Sequence, residues 1–324
     1  MTRRAWIAFA AMSVLWGVSY LLIKIAVRGG MPAPDVAWLR VAIAAAVLVP
    51  LAWRAGTLPS LRGCGRWLLA YAVAEISIPF PLIAAGEVHL ASSLAAIIIA
   101  AVPLIGAVLA LRFDHSERPT PLRAAGLAVG FAGVVALVGI DVAGNGAELV
   151  GALAILGAAV GYSIGPMLVK HRMGGLDPRA LMGASLLLAA IILAPLAAVD
   201  TPSRTPSLGA WAAVLALALA CTALAFVVFT VLIREAGTSR ATVITYVNPV
   251  IALALGVTLE SERPGAGAIL GLVLILAGSW LSTTGRIGRG GSGFRGSAQV
   301  AAGRAKSRTD REVLRPGRVD RLLD

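Results

Sequence analysis

Ten long runs of apolar residues follow one another along the chain. They lie at residues 5–26, 36–53, 67–86, 92–111, 122–140, 149–169, 179–199, 209–233, 240–259 and 266–284. A helix needs roughly 20 apolar residues to cross the ~30 Å hydrocarbon core of a bilayer. The runs lack the strict alternation typical of barrel strands. The pattern therefore predicts an all-α integral membrane protein with ten transmembrane helices.

Composition agrees with this prediction. Hydrophobic residues make up 58% of the 324 residues and charged residues only 14%, against roughly 25% charged residues in soluble proteins. These values exclude a soluble globular domain and a disordered chain. The net charge of +12 is therefore interpreted through the orientation of the chain in the lipid bilayer. We expect no nucleic-acid partner.

The number of basic residues alternates strongly from one loop between the runs to the next. If the N-terminus is cytoplasmic, thirteen Lys or Arg residues fall on the inner side and three on the outer side. This bias follows the positive-inside rule. It predicts that both termini are cytoplasmic in a multi-pass protein of the inner (cytoplasmic) membrane. Residues 286–324, rich in Gly, Ser and Arg, read as a disordered basic cytoplasmic tail, or alternatively as a segment that binds anionic lipid.

The chain repeats itself at an offset of about 146 residues. Leu22-Ile23-Lys24 aligns with Leu168-Val169-Lys170, and Pro103 aligns with Pro249. The repeats, 1–146 and 147–285, each contain five predicted spans. Because five is odd, the second repeat must be inverted in the membrane. Inverted repeats are typical of secondary transporters.

Several motifs resemble the EamA-type members of the drug/metabolite transporter superfamily. They are Trp16-Gly17-Val18-Ser19-Tyr20 with Ile23-Lys24, Arg40, Pro103 with Glu117-Arg118, and Pro249 with Glu262-Arg263. The resemblance covers residues 1–285. It implies transport of a small molecule such as a metabolite, amino acid or drug-like compound, commonly export. It also implies a central cavity between the halves, lined by helices 1, 3, 4, 6, 8 and 9.

Glu75 is the only acidic residue well inside any of the ten runs. An ionisable group inside a membrane span costs free energy, so it usually has a functional or structural role. Pro79 and Pro81 follow it, and they should bend the helix and free carbonyl groups. The matching stretch near Cys221 has neither acid nor proline. We expect Glu75 to bind a proton or a cationic substrate group. The alternative is a structural pair with Arg40 or Lys24.

Aromatic and polar residues at helical spacing supply further candidates. Trp16, Tyr20 and Lys24 share one face of helix 1, and Tyr162, Pro166 and Lys170 are their counterparts in helix 6. Trp16 and Tyr20 are expected to shape the pocket. Lys24 and Lys170 are either gate residues or anchors that snorkel to the interface. Arg40 either reaches lipid headgroups or turns inward toward Glu75.

Pro103 and Pro249 lie in the middle of runs four and nine and predict kinks there. Tyr246 and Asn248 precede Pro249, and we expect both to line the pathway. Glycines at four-residue spacing in helices 5, 6 and 10 let helices approach closely. Spacing does not distinguish a partner helix in the same chain from one in a second copy, so a homodimer stays open.

No pattern for other chemistry stands out. Gly161-Tyr162-Ser163-Ile164-Gly165 matches G-x-S-x-G, but Ser163 lies in the middle of an apolar run, where the required strand–turn–helix elbow cannot form. We find no metal-ligand cluster and no phosphate loop, and therefore expect no metal, no cofactor and no enzyme activity.

The sequence thus predicts a secondary transporter, with export as the expected direction, alternating access around a midplane cavity, and protons as a candidate coupling ion. Two other classes remain. A membrane-embedded enzyme acting on lipid would need paired aspartates or a histidine at depth. A sensor or scaffold that does not transport would depend on the tail, so deleting residues 286–324 would abolish its activity.

Overall fold

The computed structural model describes residues 2–113, 120–142, 144–199, 202, 205–236 and 243–284. All regular structure in these residues is helical. The helices are α1 (Arg3–Arg28), α2 (Ala33–Arg54), α3 (Gly65–His89), α4 (Ser92–Arg112), α5 (Pro121–Val142), α6 (Gly146–Arg172), α7 (Pro178–Val199), α8 (Leu208–Ala236), α9 (Ile244–Leu259) and α10 (Ala266–Thr284).

Helices α1 to α8 are long and apolar enough to cross a membrane, and α9 and α10 are shorter apolar helices. The prediction of an all-helical membrane protein is therefore confirmed. The ninth predicted run starts at residue 240, but residues 240–242 lie outside the described ranges. The predicted tail, residues 286–324, lies outside them as well.

Polar side chains and prolines set where several helices begin. Hydrogen bonds from main-chain N–H groups in the first turns of α1, α5, α6 and α8 are accepted by the side chains of Thr2, Thr120, Asn145 and Ser207. Such caps satisfy N–H groups that have no partner within the helix. A proline stands in the first turn of α2, α5 and α7, where its missing N–H is not needed.

Helices of the first half pack mainly on helices of the second half. Helix α2 packs on α7 and α4 packs on α9. Helix α1 lies against α8 and α9, and α6 lies in the same way against α3 and α4. Each contact is thus matched by one between helices five positions further along the chain. The chain through Ser282 forms one compact unit.

Glycines allow the closest of these contacts. A Cβ atom on Gly133 of α5 would stand 2.9 Å from the carbonyl oxygen of Gly271 in α10, and one on Gly271 would stand 2.9 Å from that of Gly133. Gly126 and Gly278 meet in the same way nearer the other end of the two helices. Helices α5 and α10 therefore pack backbone to backbone within the chain.

Candidate functional site

The middle of α3 departs from regular α-helical geometry. Over Val73–Ser77 the backbone widens to π spacing, and Ile78 N donates to Val73 O at 3.0 Å. Regular helix resumes at Pro79, with Pro81 in its first turn. Glu75 lies inside the π segment. Single-turn π segments frequently occur at functional sites because they re-aim side chains and free carbonyl groups.

The Glu75 carboxylate faces α6. It lies directly against Gly165, where a Cβ atom would overlap it. Its Oε2 atom is shielded from solvent and has no hydrogen-bond partner among the described residues. Glu75 also interacts electrostatically with Tyr71 and Tyr162. A carboxylate in these surroundings is available to a proton or to a cationic group.

Arg40 turns into the protein and does not reach the lipid headgroups. Only 7% of the residue is exposed, and its guanidinium lies over the Phe80 ring, 4.1 Å from the centroid. Its Nε donates to Thr222 Oγ1 at 2.8 Å. In the described part of the chain, Glu75 has neither a hydrogen bond nor an ion pair with Arg40.

Lys24 also points inward. It is 5% exposed, and its Nζ donates to the carbonyl oxygens of Glu87 at 2.6 Å and Leu90 at 2.7 Å. A cation at the carbonyl end of a helix is favoured by the helix dipole, so Lys24 of α1 holds the end of α3. Lys170, its counterpart in the repeat, is exposed.

Sequence reasoning missed a second acidic residue in α3. The third apolar run ends at residue 86, but α3 continues to His89 and includes Glu87. Glu87 is 0% exposed. Glu75 stays the only acidic residue well inside any of the ten runs, and Glu87 is a further buried acid near the end of α3. One signal was available: the residue 146 positions later is Ile233, so the repeat predicts an apolar environment at Glu87.

A third carboxylate joins the two halves at the predicted outer side. Glu262, in the loop between α9 and α10, accepts hydrogen bonds at the start of α4 from Ser92 N (2.8 Å), Ser92 Oγ (2.9 Å) and Ser93 N (3.1 Å). Burial alone would raise the pKa of Glu262, but these hydrogen bonds outweigh it and hold the pKa below its usual value. We call this set of hydrogen bonds the outer contact. Nearby, Arg28 of α1 forms an ion pair with Glu260.

The aromatic candidates occupy two different levels. Trp16 packs against Phe226 and Phe229 of α8, with ring centroids 6.3 and 5.2 Å apart. Tyr20, one turn further along α1, packs between two apolar clusters and interacts electrostatically with Tyr162. The structure thus brings Tyr20 to the region of Glu75 and Arg40, whereas Trp16 lies in the contact between α1 and α8.

Of the α9 candidates, Asn248 lies against α1. Asn248 is buried, and its Oδ1 has no hydrogen-bond partner among the residues described. A Cβ atom on Gly17 of α1 would lie 3.3 Å from the carbonyl oxygen of Asn248. Tyr246 is partly buried on the same helix. An unsatisfied buried amide oxygen next to a close helix contact is a feature to which a polar ligand could bind.

The two aligned prolines differ in their effect. Helix α4 is interrupted at Ala100–Ala101, just before Pro103, whereas α9 runs without a break through Pro249. Beside Pro103, the Ser163 hydroxyl donates to Val102 O at 3.0 Å and to Ala159 O at 2.7 Å. Ser163 therefore bonds to main-chain carbonyls of α4 and α6.

Comparison with known proteins gives a consistent result. The sequence matches the EamA-like transporter family twice, over residues 4–139 and 149–284. It is 29% identical to the uncharacterized inner membrane transporter YedA of Escherichia coli (strain K12), over 86% of this chain and 90% of YedA. It is 25% identical to an uncharacterized transporter of Archaeoglobus fulgidus, over 86% of this chain and 98% of that protein.

A solved structure shares the fold. The crystal structure of a protein with 22% sequence identity superimposes with a TM-score of 0.62, covering 88% of this chain and 98% of the other.

Proposed function

Since the chain belongs to the EamA-like transporter family and is a multi-pass membrane transporter, we propose that it exports a small organic solute across the cytoplasmic membrane. Its relative YedA is an inner membrane transporter, which supports that location. The observation that carries the proposal is Glu75, a carboxylate without a partner for its Oε2, placed in the π segment of α3.

The proposed mechanism is alternating access by two inverted five-helix repeats, which requires ten membrane spans and two cytoplasmic termini. The double family match and the paired contacts of α1 and α6 support this architecture. If the halves exchange roles, a cavity between them opens first to one side and then to the other. Glycine-lined contacts such as that between α5 and α10 would move as units.

The outer contact fits one state of such a cycle. Glu262 connects the second half to the start of α4, and Arg28 with Glu260 connects α1 to the same loop. A path to the outside between the halves would require these bonds to break. The conformation described here is therefore assigned as closed at the outer side.

The proposed binding site lies among α1, α3, α6, α8 and α9. Glu75 would bind a proton or the ammonium group of a solute, and Tyr20, Tyr246 and Asn248 would shape the pocket around it. Aromatic rings attract cations, and Asn248 Oδ1 is free to accept a hydrogen bond from a solute. We therefore favour an amine-bearing metabolite as the solute.

The test is an untargeted comparison of metabolites in medium and cells. Cells that overproduce the chain are compared with cells that make Glu75→Gln at an equal level. Glu148→Gln serves as the matched control, because Glu148 lies at the start of α6 and accepts a hydrogen bond from Asn145. We expect a compound enriched in the medium only with the wild type and the control. Equal media from all three strains would contradict export through Glu75.

A further inference from the structure

Glu87 is a buried acid to which the proposed function gives no role. It lies twelve residues after Glu75 along α3, on the order of 18 Å nearer the outer side. The residue is 0% exposed, and neither carboxylate oxygen has a hydrogen-bond partner in the described part of the chain. Buried acids inside a membrane protein are rare, and they often mark proton relays.

An ionised carboxylate in this position would be poorly stabilised. Burying a charge without hydrogen-bond donors is unfavourable, and Lys24 does not donate to either oxygen of this carboxylate. Lys24 Nζ donates instead to the main-chain oxygens of Glu87 and Leu90. Protonation removes the charge, so the neutral carboxyl group is the form that suits this conformation.

The charged and titratable groups around Glu87 come from three directions. Tyr20 and Lys24 approach from α1, Arg40 from α2, and Glu262 from the loop between α9 and α10. Glu262 keeps its charge because three hydrogen bonds stabilise it. Lys24 therefore lies near one carboxylate that has its donors and one that has none.

Polar side chains interact electrostatically with Glu75 at one level of α3 and with Glu87 at another. Tyr162 interacts electrostatically with both Glu75 and Arg40. Arg40 and Tyr20 in turn interact with Glu87. The described core therefore contains polar groups along α3 from Glu75 to its outer end.

We propose that Glu87 is a second proton-binding site, occupied while the outer contact is closed and emptied to the outside when that contact opens. On opening, Lys24 leaves the carbonyl oxygens of Glu87 and Leu90 and pairs with the Glu87 carboxylate. The O–H bond of Glu87 breaks, and its proton passes to water that enters from the outer side. The coupling of this proton to solute movement rests on the proposed function, but proton binding itself does not.

Infrared spectroscopy of the full-length protein in lipid nanodiscs tests the site with protons alone as the ligand. A protonated carboxyl group gives a C=O stretching band that an ionised one lacks. At pH 7 we expect this band in the wild type, from Glu87 together with any protonated Glu75, and the loss of its Glu87 component in Glu87→Gln. Glu148→Gln should retain it, and Glu87→Asp, which keeps a carboxyl group, should also show a band.

A second variant tests the connection with the outer contact. Glu262→Gln weakens the hydrogen bonds to Ser92 and Ser93, so the Glu87 band should disappear at a lower pH than in the wild type. An unchanged band in Glu87→Gln would overturn the site. An equal pH midpoint in the wild type and Glu262→Gln would overturn its link to opening.

These readouts need no transported solute. Failure of the metabolite comparison would therefore count against the proposed export alone. Failure of the infrared experiment would count against Glu87 alone.

Discussion

Helices α3 and α8 occupy the same place in the two repeats, and both contain a π segment at their middle. These segments are Val73–Ser77 and Leu219–Leu224. In each, a hydroxyl group donates to the carbonyl five residues before it, from Ser77 to Ala72 O at 3.1 Å and from Thr222 to Leu217 O at 2.8 Å.

Proline is present in only one of the two helices. Pro79 and Pro81 follow the π segment of α3, whereas α8 has no proline at the matching place. Proline therefore does not explain the widening, although prolines are a common cause of irregular helices. The hydroxyl bond to the carbonyl five residues back is the feature that both helices share.

The chemistry of the two segments differs more than their geometry. Glu75 of α3 aligns with Cys221 of α8, which is buried in an apolar cluster. The hydroxyl of Thr222 beside it holds Arg40. The segment of α3 thus carries Glu75, whose Oε2 has no hydrogen-bond partner among the described residues. The segment of α8 carries Thr222, which accepts a hydrogen bond from the Arg40 guanidinium. Both repeats contain the π segment, but only the segment of the first repeat carries the acid of the proposed site.

The largest effect should come from removing this asymmetry. Glu75→Gln should lower transport of the solute about 10- to 100-fold, because a hydrogen bond to a charged group is worth roughly 1.5–3 kcal/mol. Cys221→Ala, at the aligned position, should stay within about twofold of the wild type. Solute flux into proteoliposomes measures both. Equal losses in the two variants would mean that α3 and α8 contribute alike.

The Glu75 carboxylate lies directly against Gly165, so a larger residue at Gly165 should displace it. A Cβ atom in Gly165→Ala would overlap the Glu75 carboxylate, whereas in Gly157→Ala it would stand 3.2 Å from the flexible end of Leu82. Overpacking costs about 1–3 kcal/mol. Transport by Gly165→Ala should therefore fall about tenfold at normal expression, with Gly157→Ala nearly unchanged. A normal flux in Gly165→Ala would show that the position of Glu75 is not critical.

The two aligned lysines test whether the halves differ at the ends of α3 and α8. Lys24→Met loses two hydrogen bonds to buried carbonyl groups, which should lower stability by about 1–3 kcal/mol. Lys170→Met, at an exposed position, should lower it by less than about 0.5 kcal/mol. Thermal unfolding in detergent gives both values. A similar loss in the two variants would place the lysines in equivalent roles.

The positions of the helices could be predicted from the sequence, because about 20 apolar residues are needed to cross a bilayer. The run 92–111 corresponds to Ser92–Arg112, and 179–199 corresponds to Pro178–Val199. Glu87 was missed because the third apolar run was ended at residue 86, one residue before this charge. The fold buries this charge against neighbouring helices, and no local pattern records that.

Main-chain partners explain the other differences. Lys24 donates to two carbonyl oxygens, and Ser163 does the same. Every residue has a carbonyl group, so such partners leave no trace in the sequence. The π segment around Glu75 could not be predicted from the sequence either, since its residues would also fit a regular helix. Glu75 itself was predictable, because an acid in an apolar run is rare.

The smallest expected effect concerns the outer contact and its pH dependence. Although burial would raise the pKa of Glu262, hydrogen bonds from Ser92 and Ser93 hold it below its usual 4.5, so the ionised form stabilises the folded conformation in which the outer contact is formed. This stabilisation is complete above about pH 5.5, and it decreases as the pH falls through the lowered pKa.

Replacing a helix-capping side chain costs about 0.5–2 kcal/mol. Glu262→Gln should therefore have a lower Tm than the wild type at pH 7, and the gap should narrow toward pH 4. Glu148→Gln is the control in the same scan. A Tm gap that stays constant from pH 7 to pH 4 would show that the charge of Glu262 does not stabilise the outer contact. The behaviour of Glu75 and Glu87 in the first half would then not depend on the charge of Glu262 in the loop between α9 and α10.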